Sequence, residues 1–322
     1  MSILKDSLPA LVPQHFSDKK RYYDFSTYLK RRFGCKVYKV VIDAGFTCPN
    51  RDGFVAKGGC IYCNANGSGS GKRKTSVREQ VLQGIDFVKK RYKAKKIMVY
   101  FQAFTNTYAP VDELEKIYKE ALCHPDIVSI AIGTRPDCID RTKLEMINQF
   151  VSDYEVWMEY GLESSHDRTL TLINRMDTLA QFEKAVKLTR DYDMKICTHL
   201  IMGLPYETYA DMMLTVDRVA RLDLNGIKIH NLYIENNTSL KKFYDDYGFE
   251  LLSKEAYVNI VCDSLEKLSD QMVIERLNGD PVKQHTYLPD WSLDKQGILM
   301  DIDKELERRN TFQGQKYKAT NT

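Results

Sequence analysis

The fold is decided by an apolar run, Lys36-Val-Tyr-Lys-Val-Val-Ile-Asp43, that leads into the loop Cys48-Pro-Asn-Arg-Asp-Gly-Phe-Val-Ala-Lys-Gly-Gly-Cys60-Ile-Tyr-Cys63. The β-branched residues of the run predict a strand, and the glycines allow the loop to wrap closely around a ligand. The cysteines have the spacing C-x11-C-x2-C. Three thiolates are one ligand fewer than a structural zinc or an ordinary [4Fe–4S] cluster takes, so such a site keeps one metal position open for a substrate or cofactor.

Outward from this loop, short β-branched runs alternate with longer amphipathic segments. Strands are predicted at residues 37–44, 97–103, 127–133, 155–161, 195–202 and 226–232. Apolar residues at helical spacing predict helices at 76–91, 111–123, 141–151, 178–192, 209–222 and 254–269. This alternation predicts a parallel α/β sheet whose six strand–helix repeats close into a partial (β/α)6 TIM-like barrel. The chemistry of such folds lies at the carboxyl ends of the strands, where the cysteine loop begins.

The chain divides into three segments by composition and pattern. Residues 1–35 are basic and aromatic, residues 36–270 contain the predicted barrel, and residues 271–322 form a C-terminal extension. The extension contains an amphipathic run near residues 297–309 and is too small to be stable alone. We therefore expect it to pack on the core of the barrel.

Composition limits the classes of protein that this chain can be. Its 322 residues are 43% hydrophobic, which is enough for a substantial core. No apolar run approaches the roughly 20 residues of a membrane helix, and the N-terminus lacks an apolar stretch of signal-peptide length. We therefore expect a cytoplasmic protein with no membrane partner. Eight scattered cysteines are too few for a secreted disulfide scaffold, and a C-x2-C in a reducing compartment indicates metal or redox chemistry.

The formal net charge is only +3, but the first third of the chain is strongly basic. Its basic runs are Lys19-Lys20-Arg21, Lys30-Arg31-Arg32, Lys72-Arg73-Lys74 and Lys89-Lys90-Arg91-Tyr92-Lys93-Ala94-Lys95-Lys96. Aromatic residues interleave with these runs, and the combination suits phosphate contact and base stacking. Solvated helix faces explain such runs equally well, so composition leaves both interpretations open.

Iron–sulfur and zinc are the two kinds of metal site that the cysteine loop allows. Thiolates hold iron–sulfur clusters, and backbone N–H groups near the sulfurs help to set the potential of a cluster. Zinc needs a fourth ligand, which Cys35 or a histidine would supply, and the loop lacks the second C-x2-C of a zinc ribbon. The spacing therefore favours a cluster. The remaining cysteines are expected to be small buried side chains: Cys35, Cys123, Cys138, Cys197 and Cys262.

The loop resembles that of the radical S-adenosylmethionine (SAM) enzymes, in a version with expanded cysteine spacing and with an aromatic residue, Tyr62, before the last cysteine. The resemblance implies the partial barrel of that family. It also implies that Cys48, Cys60 and Cys63 hold a [4Fe–4S] cluster whose fourth iron binds the amino and carboxylate groups of SAM. One electron then cleaves SAM to methionine and a 5′-deoxyadenosyl radical, which abstracts hydrogen from an unactivated carbon.

The ends of the other predicted strands fit this resemblance. Gln102 and Asn106 follow the second strand, where they would bind the amino group of SAM or the substrate. A capping or turn role is the alternative for both. Glu163 and Ser164 follow the fourth strand, and the resemblance implies that they hold the ribose hydroxyls of SAM.

Two further cofactor contacts are implied by the resemblance. Arg175 would pair with the carboxylate of SAM, because a guanidinium is planar and can donate two parallel hydrogen bonds; a surface ion pair is the alternative. Ile201, near the Gly203-Leu-Pro205 turn, would pack on the adenine. His199 on the same strand is expected to be a core histidine with its hydrogen bonds satisfied.

The sixth predicted strand carries polar residues inside an apolar run. Lys228, His230 and Asn231 are our predicted catalytic residues, because they would face the substrate. Arg135 would face the same pocket from the end of the third strand. The turn Glu275-Arg-Leu-Asn-Gly-Asp280 is expected to close the mouth of the barrel.

The resemblance covers roughly residues 20–280 and lies in the YhcC/YtqA-type branch, related to the radical domain of the Elongator catalytic subunit. Blocks such as Phe101-Gln-Ala-Phe-Thr-Asn-Thr-Tyr108 carry it. It implies a tRNA substrate modified at the C5 substituent of the wobble uridine, held by the basic N-terminal third, and an electron donor such as flavodoxin or ferredoxin. The sequence leaves no room for the acetyltransferase domain of Elongator, so acetyl-CoA chemistry is not implied.

Two alternatives belong to other functional classes. One is a radical SAM enzyme that acts on a small metabolite or a peptide. The other is a zinc-binding protein without catalysis.

Overall fold

A seven-stranded parallel sheet forms the centre of the computed structural model, which describes residues 12–67 and 75–318. In order across the sheet, its strands are β1 (Val37–Ile42), β2 (Lys96–Phe101), β3 (Ile127–Thr134), β4 (Glu155–Glu163), β5 (Lys195–Met202), β6 (Gly226–Asn231) and β8 (Val273–Arg276). Two short strands, β7 (Ile234–Glu235) and β9 (Thr286–Leu288), form a separate antiparallel pair.

Helices connect the strands. They are α1 (Phe25–Phe33), α2 (Pro49–Asp52), α3 (Val77–Tyr92), α4 (Val111–Ala121), α5 (Arg141–Asn148), α6 (Asp167–Leu172), α7 (Leu179–Thr189), α8 (Tyr209–Ala220), α9 (Ser239–Tyr247), α10 (Lys254–Lys267) and α11 (Lys295–Arg308). Capping boxes start α3, α7 and α8. The hydroxyls of Ser76, Thr178 and Thr208 each accept a hydrogen bond from the backbone N–H of the residue three positions later. The side chain of that later residue accepts a hydrogen bond from the backbone N–H of the capping residue.

The predicted parallel α/β partial barrel is confirmed, with one strand more than the six repeats that we predicted. The seventh strand, β8, follows α10 and pairs with the lower part of β6. It has only four residues and is followed by a polar turn, so its apolar pattern is short. The sheet therefore continues past residue 270, where we placed the end of the barrel.

Side chains on the strands alternate between two apolar layers. On β4, Val156, Met158 and Tyr160 pack into the main core between the sheet and the helices. Trp157 points the other way and belongs to a second cluster on the concave side of the sheet. This alternation follows from the two-residue period of a strand, and it gives the half-barrel an interior of its own.

Helix α1 closes the interior at the amino ends of the strands. Its Phe25 and Tyr28 rings meet Trp157 edge-on, with ring centroids 5.9 and 5.5 Å apart. Leu29 is buried in the same cluster. The Tyr28 hydroxyl donates to Glu155 (2.8 Å) at the start of β4. Aromatic residues of the predicted N-terminal segment are thus packed as a plug in the floor of the half-barrel.

The two outer strands of the sheet, β1 and β8, are joined by the N-terminal segment instead of by each other. The Ile274 N–H donates to the Tyr23 carbonyl (2.8 Å), which gives β8 a partner along its free edge. Lys39 of β1 and Glu275 of β8 form an ion pair with Nζ and Oε2 2.5 Å apart. These contacts bring the two edges of the open barrel together.

The C-terminal part of the chain packs on the outer layer. Ile298, Ile302 and Leu306 of α11 are buried in the main core. Among the described residues, no helix has the length and apolar character that crossing a membrane requires.

Candidate active site

A cavity of about 450 Å³ opens at the carboxyl ends of the strands. The predicted site residues that line it are Cys48, Cys60, Cys63, Gln102, Glu163, Arg175, Ile201, Lys228, His230 and Asn231. The half-barrel therefore brings the predicted metal, cofactor and substrate residues to one place. Their individual roles remain predictions.

Local hydrogen bonds hold the cysteine loop in a tight curve at one side of the cavity. The Gly59 N–H donates to the Asn50 carbonyl (2.8 Å) across the loop. Gly59 has a φ of +81°, and a Cβ atom there would lie 3.2 Å from Arg51 Nε, so the position requires glycine. The Asn174 side chain donates to the Gly59 carbonyl (2.8 Å) and thereby ties the loop to the segment after α6.

The sulfur of Cys60 has two side-chain donors. Asn50 Nδ2 lies 3.5 Å from Cys60 Sγ, and Arg175 Nη1 lies 3.9 Å from it. Both donors are buried. Burial and the neighbouring Cys60 raise the pKa of the Cys63 thiol to about 12. A bound metal would hold such a group as a thiolate, because metal binding displaces the proton.

A single zinc ion and a [4Fe–4S] cluster place different demands on the three thiols. Zinc needs its ligands within about 2.3 Å of one point, whereas the thiolates of a [4Fe–4S] cluster bind different irons. In residues 12–67 and 75–318, no three His, Cys, Asp or Glu side chains gather into a site for one ion. Cys35, which we considered as a fourth zinc ligand, precedes β1 at the opposite end of the sheet.

Beside the cysteines lies a buried group of arginines and carboxylates. Arg175 Nε is 3.2 Å from Asp177 Oδ1, and its Nη1 is 3.6 Å from Glu163 Oε1. Arg135 donates to the Arg175 carbonyl (2.8 Å) and also faces Asp177. Burial raises the pKa of Asp177 to about 6, although Arg175 and Arg135 act in the opposite direction. Arg175 is thus a buried cation on the cavity wall, and the surface ion pair that we considered is excluded.

The end of β4 is shaped to turn Glu163 toward Arg175. The pairing of β4 with β5 is irregular between Gly161 and Glu163, and Glu163 has a φ of +66°. A Cβ on Gly161 would lie 2.5 Å from Glu163 Oε1 and 2.8 Å from Arg175 Nη2. Glycine at 161 therefore gives the room that this carboxylate and guanidinium occupy. A strained residue at a strand end is typical of binding sites.

Five side chains from β2, β4, β5 and β6 form the polar inner wall of the cavity. They are Tyr100, Glu159, His199, Lys228 and His230. Lys228 Nζ donates to Glu159 and to the Tyr100 hydroxyl (3.1 Å), and His199 Nε2 is 2.9 Å from Glu159 Oε2. His199 is therefore satisfied by a hydrogen bond, as we expected, but it faces the cavity instead of the core.

Electrostatics set the protonation of this inner wall. Burial opposes ionisation of Glu159, but Lys228 and Lys39 outweigh it and hold its pKa well below the usual range. Burial likewise opposes a charged Lys228, and Glu159 outweighs it, so the pKa of Lys228 is raised. Burial and Arg276 hold the pKa of His230 well below its usual range. At neutral pH the wall presents an ion pair beside a neutral imidazole.

Two predicted cofactor contacts lie outside the cavity lining. Asn106 is fully buried, and its side chain donates to the carbonyls of Phe101 (3.2 Å) and Gly133 (2.7 Å). Ser164 is also fully buried; its hydroxyl donates to Glu207 and accepts the His166 N–H (3.1 Å). Neither side chain lines the cavity, and their contacts with SAM stay predictions.

Asn231 connects the cavity to the turn that we expected at the barrel mouth. Its Oδ1 accepts the Gly279 N–H (2.7 Å). Asp280 and Val282, which follow in the chain, line the cavity. The turn after β8 therefore lies at the cavity, and Asn231 is one of the groups that hold it there.

The described basic runs lie at the other end of the sheet. Lys30, Arg31 and Arg32 occupy the last turn of α1, and Arg32 pairs with Glu155 at the start of β4. Lys89-Lys90-Arg91 ends α3, and Lys96 begins β2. A six-residue strand separates such positions from the cavity by about 20 Å. That the basic runs hold RNA stays a prediction, and Lys72-Arg73-Lys74 lies outside the described residues.

Comparison with known proteins agrees with the geometry of the cysteine loop and the strand ends. The Radical SAM superfamily matches residues 48–219, and the Radical_SAM C-terminal domain matches residues 224–308. The chain belongs to the radical SAM superfamily. A radical SAM enzyme uses a [4Fe–4S] cluster and SAM, and the cavity of this one offers three thiols and buried polar groups to hold them.

Relatives in two bacteria confirm the predicted branch of the radical SAM enzymes. The uncharacterized protein YtqA of Bacillus subtilis (strain 168) is 40% identical over 298 residues, which cover 92% of this chain and 92% of YtqA. Protein YhcC of Escherichia coli (strain K12) is 32% identical over 280 residues, which cover 86% of this chain and 90% of YhcC.

A solved structure with the same fold is the archaeal Methanocaldococcus infernus Elp3 with residues 1–46 deleted. The TM-score is 0.64, and the match covers 86% of this chain and 64% of that one at 15% identity. At this identity the likeness concerns the fold alone.

Glu159, Tyr100 and Asp177 are residues of the site that sequence reasoning missed. Glu159 lies two residues after Trp157 on β4, so the two-residue period of the strand places it on the concave face. A carboxylate in an otherwise buried strand was the available signal. Tyr100 gave no signal, because a tyrosine in an apolar strand is ordinary core composition. Asp177 follows Arg175 by two residues, and nothing in the sequence shows that they pair.

Proposed function

We propose that this radical SAM enzyme modifies the C5 substituent of a tRNA wobble uridine by abstracting a hydrogen next to that substituent. The observation that carries the proposal is the continuity of the cavity from the three cysteines to the polar inner wall. A flipped base that enters this space would meet hydrogen-bond donors and acceptors, which is how enzymes hold an extruded base. The motif resemblance to the radical domain of the Elongator catalytic subunit supplies the substrate class.

Different residues of the cavity would bind the cofactor and the substrate. When bound, the cluster and SAM supply one electron and the 5′-deoxyadenosyl radical. Arg175 and Glu163 would orient SAM through its carboxylate and ribose, and Gln102 and Ile201 complete that side of the cavity. We assign no proton transfer to this side.

The inner wall would hold the base. The carbonyl oxygens of uracil can accept hydrogen bonds from Lys228 and Asn231, and the neutral imidazole of His230 can donate or accept one. Since the buried Glu159 holds Lys228 in its charged form, the ammonium is a fixed donor. The wall would thus orient the C5 side of the base toward the reacting carbon of the cofactor.

Two further expectations belong to this proposal. The electron would come from a small redox protein such as flavodoxin or ferredoxin, because the cluster needs an external one-electron donor. The reaction would take place in the cytoplasm, where its tRNA is found.

In the test, the enzyme is first reconstituted anaerobically with iron and sulfide. It is then incubated with dithionite and SAM, with and without bulk tRNA, and the 5′-deoxyadenosine formed is measured. We expect cleavage of SAM and stimulation by tRNA. RNase-treated tRNA is the matched control and should give no stimulation. A contact dominated by phosphates also predicts that tRNA affinity falls steeply with salt.

Other outcomes distinguish the alternatives. Cleavage of SAM that tRNA leaves unchanged, together with no tRNA binding, contradicts the RNA substrate and favours a small metabolite or peptide. A colourless protein that retains one equivalent of zinc after reconstitution contradicts the radical activity itself.

A further inference from the structure

The most exposed large hydrophobic side chain among the described residues is Phe54, at 79%. It lies in the cysteine loop, between the predicted cluster ligands Cys48 and Cys60, both of which line the cavity. A single exposed apolar side chain is common on protein surfaces, so the neighbours of Phe54 decide whether it serves a function.

The backbone fixes the outward direction of Phe54. The Phe54 N–H donates to Asp52 Oδ1 (3.1 Å), and the N–H of Val55 donates to the Pro49 carbonyl (2.8 Å). Gly53, with a φ of +100°, ends α2 and redirects the chain. The ring is thus held outward by a hydrogen-bonded turn. Less conformational entropy of the loop would therefore be lost when a ligand binds.

A second aromatic ring from another strand end stands beside Phe54. Tyr108 belongs to the segment after β2, and its ring centroid lies 6.1 Å from that of Phe54 with an angle of 50° between the planes. The two rings are tilted and do not stack on each other. Lys57 is exposed in the same turn, with its Cε 3.6 Å from the position of a Cβ on Gly53, and the exposed carboxylate of Asp52 lies in that turn as well.

We propose that Phe54 and Tyr108 form a stacking platform for an unpaired nucleobase that neighbours the modified nucleotide. This proposal rests on the proposed function and names the substrate contact outside the cavity. The anticodon loop offers unpaired bases, and proteins that read single-stranded RNA stack such bases on aromatic rings.

A base fits this platform better than a protein partner does. Two rings and one cation cover far less than the roughly 800 Å² per partner of an ordinary protein interface. One stacked base needs only an aromatic face and a nearby charge for its phosphate. The described basic runs are at the other end of the sheet, so the RNA near the cavity needs contacts of this local kind.

The test compares two exposed phenylalanines. Phe54→Ala removes the platform, whereas Phe87→Ala removes a 59% exposed ring from α3 on the outer helical layer. Binding of an anticodon stem-loop RNA to the reconstituted enzyme is measured by filter binding at one fixed salt concentration. Stacking is worth about 1–3 kcal/mol per base, so Phe54→Ala should weaken binding by about 5- to 150-fold.

Phe87→Ala should bind like the wild type, and Phe54→Trp should keep the affinity because it keeps an aromatic face. Thermal unfolding and iron content should be unchanged in Phe54→Ala. If the wild type binds the RNA and Phe54→Ala binds equally well, the platform is wrong and the proposed function stands. If the wild type does not bind the RNA at all, the proposed function fails and the platform fails with it.

Discussion

The two ends of the half-barrel use similar side chains in opposite ways. At the amino ends of the strands, Phe25 and Tyr28 meet Trp157 edge-on and fill the interior. At the carboxyl ends, the aromatic ring of Phe54 is exposed, and the cavity wall carries Glu159 and Lys228. The same strand, β4, contributes Trp157 to the floor and Glu159 to the wall, only two residues apart.

This difference teaches that composition alone does not distinguish a structural aromatic or basic residue from a functional one. Position along the strand does. A residue near the start of a parallel strand lies under the plug, and a residue near its end lies at the cavity. Substitutions at the two ends should therefore affect different measurements: activity at the carboxyl end and stability at the amino end.

The largest effect is expected for Cys60→Ala at the cavity end. Loss of one of three thiolates leaves too few ligands for the cluster, so formation of 5′-deoxyadenosine should fall to background. Thermal unfolding should change little, because the bonds from the Gly59 N–H to the Asn50 carbonyl and from the Asn174 side chain to the Gly59 carbonyl do not use the Cys60 sulfur. Cys35→Ala, at the opposite end of the sheet, is the control and should keep activity. Wild-type yields of 5′-deoxyadenosine in Cys60→Ala would overturn the assignment of the ligands.

The next effect is expected for Trp157→Ala at the floor. Removing a fully buried tryptophan leaves a cavity beneath α1, so the free energy of unfolding should fall by about 3–5 kcal/mol. Urea unfolding measures this loss. Phe87→Ala, which removes an exposed ring, should cost much less. SAM cleavage per folded molecule should be retained. A Trp157→Ala protein that is stable but inactive would contradict the assignment of stability to the amino end and activity to the carboxyl end.

The smallest effect is expected for Asn50→Ala, within the cysteine loop. This substitution removes an N–H donor 3.5 Å from Cys60 Sγ. Donors to cluster sulfurs stabilise the more negative reduced state, so the midpoint potential should become more negative. A redox titration followed by electron paramagnetic resonance measures the shift. Asn66→Ala removes an exposed amide three residues after Cys63 and should leave the potential unchanged. Equal potentials in both variants would show that Asn50 acts only in shaping the loop.

The regular part of the fold was predictable because its patterns are local. Each predicted strand of the barrel and each helix between them is present, since β-branched runs and helical spacing report directly on burial. The cysteine loop was placed correctly because a parallel strand fixes the end of the sheet at which its following loop lies. β8 was missed as a barrel strand because four residues carry too little pattern.

The remainder of the site depends on contacts between distant residues. The ion pair between Lys39 and Glu275 joins residues 236 positions apart. The sequence around Lys39 or around Glu275 gives no indication that the two residues are paired. The hydrogen bonds of Asn106 to the Gly133 carbonyl and of Ser164 to Glu207 could not be predicted for the same reason, since only the folded chain brings these partners together.

The contact between the Tyr23 carbonyl and the Ile274 N–H has a consequence for synthesis of the chain. The edge of β8 is one of the last parts of the sheet to be made, and the N-terminal segment must wait for it. At roughly 5–20 residues per second, the cysteines leave the ribosome on the order of ten seconds or more before β8 does. The three thiols are therefore translated well before the floor beneath them can close.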